Sequence, residues 1–140
     1  MSTADEVDVS LTEALGAFAP ESIQVLTLYV PNRDRDGRTV GDQERWVKEA
    51  ASLLARIGGG VTVMPPCRGG WLNPSTNSIV WEEPILVYTY VKPDEFLALL
   101  PELKSFLHRM GRETNQGEIA VEFDGAFYRI VNFEFDTAGG

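Results

Sequence analysis

The residues with the most chemical potential lie in one short stretch, Arg68-Gly69-Gly70-Trp71. Glycines let backbone N–H groups come close to an anion, a guanidinium offers a planar fork to carboxylate or phosphate, and an indole offers a stacking face. Those parts suit a nucleotide or another anionic small molecule. The stretch lacks the Gly-Lys-Ser/Thr ending of a phosphate-binding P-loop, and paired glycines also punctuate plain connections. Glu83 precedes Pro84, where a strand must bulge or bend, and such points often re-aim side chains toward a site. A carboxylate there could serve as general base or pair with Arg68. Its plainer role, shared with Glu82, is to guard a sheet edge against aggregation. The expected ligand-binding set is therefore Arg68, Gly69, Gly70, Trp71 and Glu83.

Other candidates are weaker. Cys67 and His108 are the chain's one cysteine and one histidine, and a Cys–His nucleophile would need a third orienting group that no motif supplies. On an ideal helix His108 falls on the solvent flank, away from the apolar stripe. There is no His-x-Glu, Cys-x-x-Cys or EF-hand spacing, so neither a dedicated metal site nor a cofactor is expected. Asn115 and Gln116 could read a polar ligand, and they are also ordinary turn residues. Tyr88 and Tyr90 on one strand could stack bases as RNA-recognition sheets do. Against that, the segment Phe123–Tyr128 lacks the leading basic residue of such sheets, and the net charge of −9 disfavours a phosphate backbone. Nucleic acid is not expected as a partner.

The elements that must position these groups follow from apolar spacing. Leu11, Ala14, Leu15 and Phe18 form one face of a short helix limited by Pro20, too short to be stable unless docked. Ser22–Val30, rich in β-branched residues and bounded by Pro20 and Pro31, reads as the first core strand. Asn32–Arg38 is a charged loop or a protruding hairpin tip. Trp46, Ala50, Leu53, Leu54 and Ile57 make one helical stripe within Gly41–Ile57, with Gly58-Gly59-Gly60 as its stop. Val61–Met64 is a short strand, and Cys67–Asn77 a loop longer than ordinary connections. Ser78–Val91 reads as a long strand interrupted at Glu82-Glu83-Pro84. Pro93-Asp94-Glu95 starts a second helix whose stripe runs from Phe96 to Met110, with a kink expected at Pro101 and a stop at Gly111. Glu118–Phe123, the Asp124-Gly125 turn and Phe127–Phe135 read as a hairpin.

The order strand, helix, strand, strand, helix, strand is the split βαβ pattern of the ferredoxin-like α+β class, an antiparallel sheet with two main helices on one face. The short N-terminal helix and an extra C-terminal hairpin strand add to it. At 140 residues and 44% apolar composition, one domain over residues 22–136 is expected, preceded by an acidic lead-in over 1–21 and followed by a frayed tail over 137–140. The start of the chain has neither a basic n-region nor an apolar h-region, so a cytoplasmic protein with no membrane contact is expected. Residues 1–22 hold Asp5, Glu6, Asp8, Glu13 and Glu21 and no Lys or Arg, an arm that could steer toward a basic protein partner or simply keep the chain soluble.

Two helices cover one sheet face only. Tyr88, Tyr90, Phe127, Phe133 and Phe135 then point to apolar surface that needs a cover, and a homodimer contact is expected there. These features favour a non-enzymatic interaction or regulatory module that dimerises through its sheet. The alternative is a small enzyme or ligand sensor that binds an anionic small molecule or nucleotide at the Arg68–Trp71 loop.

Overall fold

The computed structural model describes residues 10–135. The first element, α1 (Leu11–Leu15), is held by local capping: Ser10 Oγ accepts from the Glu13 N–H at 3.4 Å, and Gly16 closes the helix in the left-handed region at φ 65°. It was expected to dock through its apolar side. Instead Leu11, Leu15 and Phe18 are exposed, so its caps rather than burial define it. Asp5, Glu6 and Asp8 of the acidic arm, and the tail from Thr137, lie outside the described residues.

β1 (Val25–Val30) is followed by α2 (Gln43–Gly58), β2 (Thr62–Val63), β3 (Gly69–Asn73), β4 (Ser78–Glu82), β5 (Ile85–Tyr90), α3 (Pro93–Glu113), β6 (Ile119–Phe123) and β7 (Ala126–Ile130). The main sheet has the order β2-β5-β1-β6-β7, and every neighbour pair is antiparallel. This is the expected ferredoxin-like arrangement, with β1 in the centre and β7 as the added strand. The Asp124-Gly125 turn, at φ 50° and 84°, is the tight two-residue kind that suits strand twist, and it sets Val121 opposite Tyr128 as its length requires.

Period-two alternation decides the faces. Leu26, Leu28, Val30, Ile85, Val87, Ile119 and Val121 are buried under the helices. α2 contributes Trp46, Val47, Ala50, Leu53, Leu54 and Ile57, and α3 contributes Leu103, Phe106, Leu107 and Met110. Each such side chain, fully buried, stabilises the fold by roughly 1.5–3 kcal/mol before entropy is counted. The helices are tied to one another by Trp46 against Phe106, ring centroids 6.0 Å apart, and by Arg109, which lies over Trp46 and pairs with Glu49 at 3.2 Å. Among the described residues no helix is long and apolar enough to cross a membrane.

Several expectations are changed or made more definite. Cys67–Asn77 is not all loop: Gly69–Asn73 pairs with Ser78–Glu82 as a separate two-stranded sheet, and the interruption expected at Glu82-Glu83-Pro84 divides the Ser78–Val91 strand into β4 and β5 that lie in different sheets. α3 runs unbroken through Pro101 and past Gly111. The backbone bond that Pro101 forfeits is to Leu97, whose side chain is exposed, so solvent can reach the freed carbonyl. The stop expected at Gly58-Gly59-Gly60 falls at Gly59, which caps α2 at φ 86°. The last strand stops at Ile130, and residues 131–135 cross to α3. There the Glu134 N–H donates to His108 Nδ1 at 2.8 Å, Arg112 donates to the Glu134 carbonyl, and Phe133 meets the His108 ring edge-on at 6.2 Å. His108 is thereby buried, not on a solvent flank, because a segment distant in sequence covers that side of the helix.

Candidate functional site

The face of the sheet away from the helices carries Thr27, Tyr29, Leu86, Tyr88, Tyr90, Ala120, Glu122, Phe127 and Arg129, by the strand register. Part of it is roofed. The β3–β4 hairpin and the loop 31–37 stand over the Tyr29–Ala120–Phe127 end, and they enclose with it a cleft of about 830 Å³. That volume lies within the usual range of small-molecule sites, roughly 300–1,000 Å³. Its walls combine the aromatic side chains Tyr29, Trp71 and Phe127 with the charged groups Arg33, Asp34, Arg35, Glu82, Glu118 and Arg129, and Trp81 borders it from the other face of the hairpin.

Local sequence explains how the hairpin serves as a wall. Glu82 pairs with Gly69 and Val80 with Trp71, so these four share one face, while Gly70, Trp81, Leu72 and Ile79 share the other. Gly70 has no side chain opposite Trp81, and a Cβ there would sit 2.9 Å from two carbons of the indole ring and 2.6 Å from Ile79. The glycine thus makes room for Trp81 to lie across β3, and the Arg68 guanidinium covers that ring at 5.1 Å. At the base, the Cys67 N–H donates to the Pro84 carbonyl at 3.0 Å, the Glu83 N–H donates to Asn32 Oδ1 at 2.7 Å, and Gln43 Nε2 donates to the Glu83 carbonyl at 3.1 Å.

The charged loop is an ordered tight turn. Arg33 bridges Thr39, Gly37 adopts φ 81°, and Asp34 Oδ1 accepts from the Asp36 and Arg38 N–H groups at 2.8 and 3.0 Å. The Arg38 backbone bond, with those of Asn115 and Asp36, holds the Asp34 carboxyl below its ordinary pKa. Asn115 and Gln116 clamp this turn from the α3–β6 connection: Asn115 Nδ2 reaches Asp36 at 3.0 Å, and Gln116 Nε2 reaches the Arg33 carbonyl at 2.9 Å. On the opposite wall Arg129 is paired with Glu118 at 2.8 Å. Tyr29 donates its phenol to Glu122 at 2.8 Å, and burial together with that carboxylate pushes its pKa up to about 12.

Of the residues singled out from sequence, Gly69, Gly70 and Trp71 line the cleft. Arg68 stacks on Trp81 from outside the lining, and Glu83 contributes its backbone to the clamp at the hairpin base while its side chain is exposed. Glu82, its neighbour, lines the cleft in its place. Cys67 and His108 have different partners, Pro84 and Glu134. Tyr88 and Tyr90 sit on the open sheet face and meet edge-on at 6.0 Å, and Phe127 faces the cleft. Phe133 lies against α3 and Phe135 under the Arg112 guanidinium, so neither belongs to the open sheet face. Sequence reasoning missed Tyr29, Arg33, Arg35, Trp81 and Arg129. For Trp81 the signal was present, an aromatic residue directly opposite a glycine, but it needs the β3–β4 pairing to be seen. Among the described residues no group of His, Cys, Asp and Glu is placed to hold a metal ion.

The fold has solved counterparts. A phage SAM lyase in complex with S-methyl-5'-thioadenosine superposes with a TM-score of 0.55 at 14% identity, over 81% of this chain and 93% of that one. A phage SAM lyase in its apo state superposes at 0.51 with 16% identity, over 81% and 92%. No protein-family model and no curated protein sequence matches the chain. The likeness establishes the α+β fold. It also corrects the reading of a non-enzymatic interaction or regulatory module. Both of these solved proteins are enzymes by name, one of them holding a small molecule, and part of the open sheet face here forms the floor of a cleft. The small-molecule alternative is the reading this favours.

Proposed function

We infer that the chain is a small-molecule enzyme whose cleft takes a nucleoside-bearing ligand, with S-adenosylmethionine as the first substrate to test. The observation that carries the reading is the cleft itself: its volume suits such a ligand, and its walls bring aromatic faces together with charges of both signs. Trp71 and Phe127 offer stacking surfaces for a purine, and Arg35, which makes no side-chain hydrogen bond or ion pair among the described residues, offers a fork to a carboxylate. The co-complex of a phage SAM lyase with S-methyl-5'-thioadenosine supports the choice of ligand class. A sulfonium is a good leaving group: in a site that orients S-adenosylmethionine, the ligand's own carboxylate oxygen can attack the γ-carbon of its amino-acid chain, closing a lactone as the C–S bond breaks and its electron pair leaves with the neutral thioether S-methyl-5'-thioadenosine.

Two measurements test this. Calorimetric titration of the full chain with S-methyl-5'-thioadenosine should give saturable binding, and chromatography should show that nucleoside accumulating from S-adenosylmethionine faster than without protein. Trp71→Ala should weaken binding by about 10- to 100-fold, the loss of one stacking contact worth roughly 1–3 kcal/mol. Absence of both binding and release would overturn the reading.

A further inference from the structure

Three carboxylates line the cleft, and two of them are engaged. Asp34 accepts backbone and Asn115 hydrogen bonds, and Glu118 accepts from Arg129 Nε and Nη2 at 3.1 and 2.8 Å. Glu82 differs. It is half-buried on the cleft side of β4, opposite Gly69, whose missing side chain leaves its carboxylate uncovered from across the strand pair. It makes no side-chain hydrogen bond or ion pair among the described residues, and burial pushes its pKa up while the Arg33 charge pulls the other way. Removing a carboxylate from water without a partner is unfavourable, and such groups concentrate where a ligand supplies the missing partner. Trp71 stands on the same hairpin face, so a cation beside Glu82 would also meet an aromatic ring.

We propose that Glu82 is the specificity-determining residue of this cleft, selecting a ligand with a sulfonium or ammonium centre over its neutral thioether counterpart. The assignment rests on the small-molecule reading above and adds the sign of the charge recognised. Arg33 and Arg35 on the facing loop and Arg129 on the floor repel a cation, while Asp34 and Glu118 are already bonded, which leaves Glu82 to provide the attraction.

The test uses two unreactive adenosine ligands with the same amino-acid tail: sinefungin, with an ammonium at the sulfur position, and S-adenosylhomocysteine, with a neutral thioether. Isothermal titration of the full chain should show the cation bound at least tenfold more tightly. Glu82→Gln should abolish that preference while leaving thioether affinity within about threefold, and Glu82→Asp should keep part of it. Melting no earlier than the parent's verifies folding of both variants, and should Glu82→Gln melt early, Glu82→Asp becomes the deciding comparison. Equal losses for both ligands, or a preference that survives Glu82→Gln, overturns the assignment of Glu82 alone. No binding of either ligand to the unmutated chain overturns the functional reading, and this proposal with it.

Discussion

Gly111→Ala tests whether the 131–135 segment is seated on α3 as described. Gly111 is buried in the last turns of α3, and a Cβ added there would stand 2.5 Å from two carbons of the Phe133 ring. Two effects oppose one another. Alanine in a helix is favoured over glycine by about 1 kcal/mol, whereas forcing a methyl into occupied space costs about 1–3 kcal/mol. The single substitution should therefore lie between neutral and about 2 kcal/mol destabilising. In a Phe133→Ala background the obstruction is gone, and the same change should stabilise by about 1 kcal/mol. Urea unfolding of the four proteins gives a coupling energy of about 1–3 kcal/mol. The ring, once displaced, would also disturb the hydrogen bond from the Glu134 N–H to His108. If Gly111→Ala shifts stability equally in both backgrounds, Phe133 does not sit on α3, and the explanation for buried His108 fails with it.

Gly58→Ala should be harder to absorb, because its Cβ would come within 2.5 Å of the Tyr90 carbonyl, a backbone atom that cannot rotate away; a loss of about 3 kcal/mol in urea unfolding is expected. Absorbance titration should find one tyrosine ionising near pH 12, Tyr29, and Glu122→Gln should lower that midpoint toward the ordinary value of 10.0 by removing the adjacent negative charge. Glu82 should contribute oppositely to a typical ion-paired carboxylate. Its native pKa is raised by burial, so the native state holds the proton to higher pH than the unfolded chain, and stability falls as pH rises through the carboxylate range. Glu82→Gln should accordingly be more stable than the parent at neutral pH, with the advantage lost below the unfolded pKa of about 4.3. A parent chain equally or more stable at neutral pH would refute the burial argument.

The parts of the fold that were legible in the sequence are those decided locally. The Trp46–Ile57 stripe, the β-branched run ending at Val30 and the Asp124-Gly125 turn each carry their own signal, and the strand–helix order then leaves few topologies. The parts that were not legible depend on distant partners. β3 contains two glycines and no fully buried residue, so period-two alternation gives no strand signal, and its existence rests on pairing with β4. His108 was placed in solvent by helix geometry alone, since nothing in α3 announces that Phe133 and Glu134 will cover it. At the site, Gly69, Gly70 and Trp71 stood out by residue type. The choice between Glu82 and Glu83 needed strand register, because adjacent residues on a strand face opposite ways.

The hairpin that carries most of these groups is a poor contributor to the core. Its residues are half-buried or exposed, and it joins the body through the Cys67 N–H bond to the Pro84 carbonyl and the Glu83 N–H bond to the Asn32 side-chain oxygen. A glycine kept opposite Trp81, a half-buried carboxylate with no hydrogen-bond partner and two exposed indoles are each unfavourable for stability alone. Elsewhere the chain obeys the ordinary rules: alternation is strict on β1 and β5, both long helices bury one stripe, and no polar side-chain atom is left buried and unpaired among the described residues. These departures gather on the hairpin wall of the cleft, where the ligand proposed above would restore contacts that folding does not make.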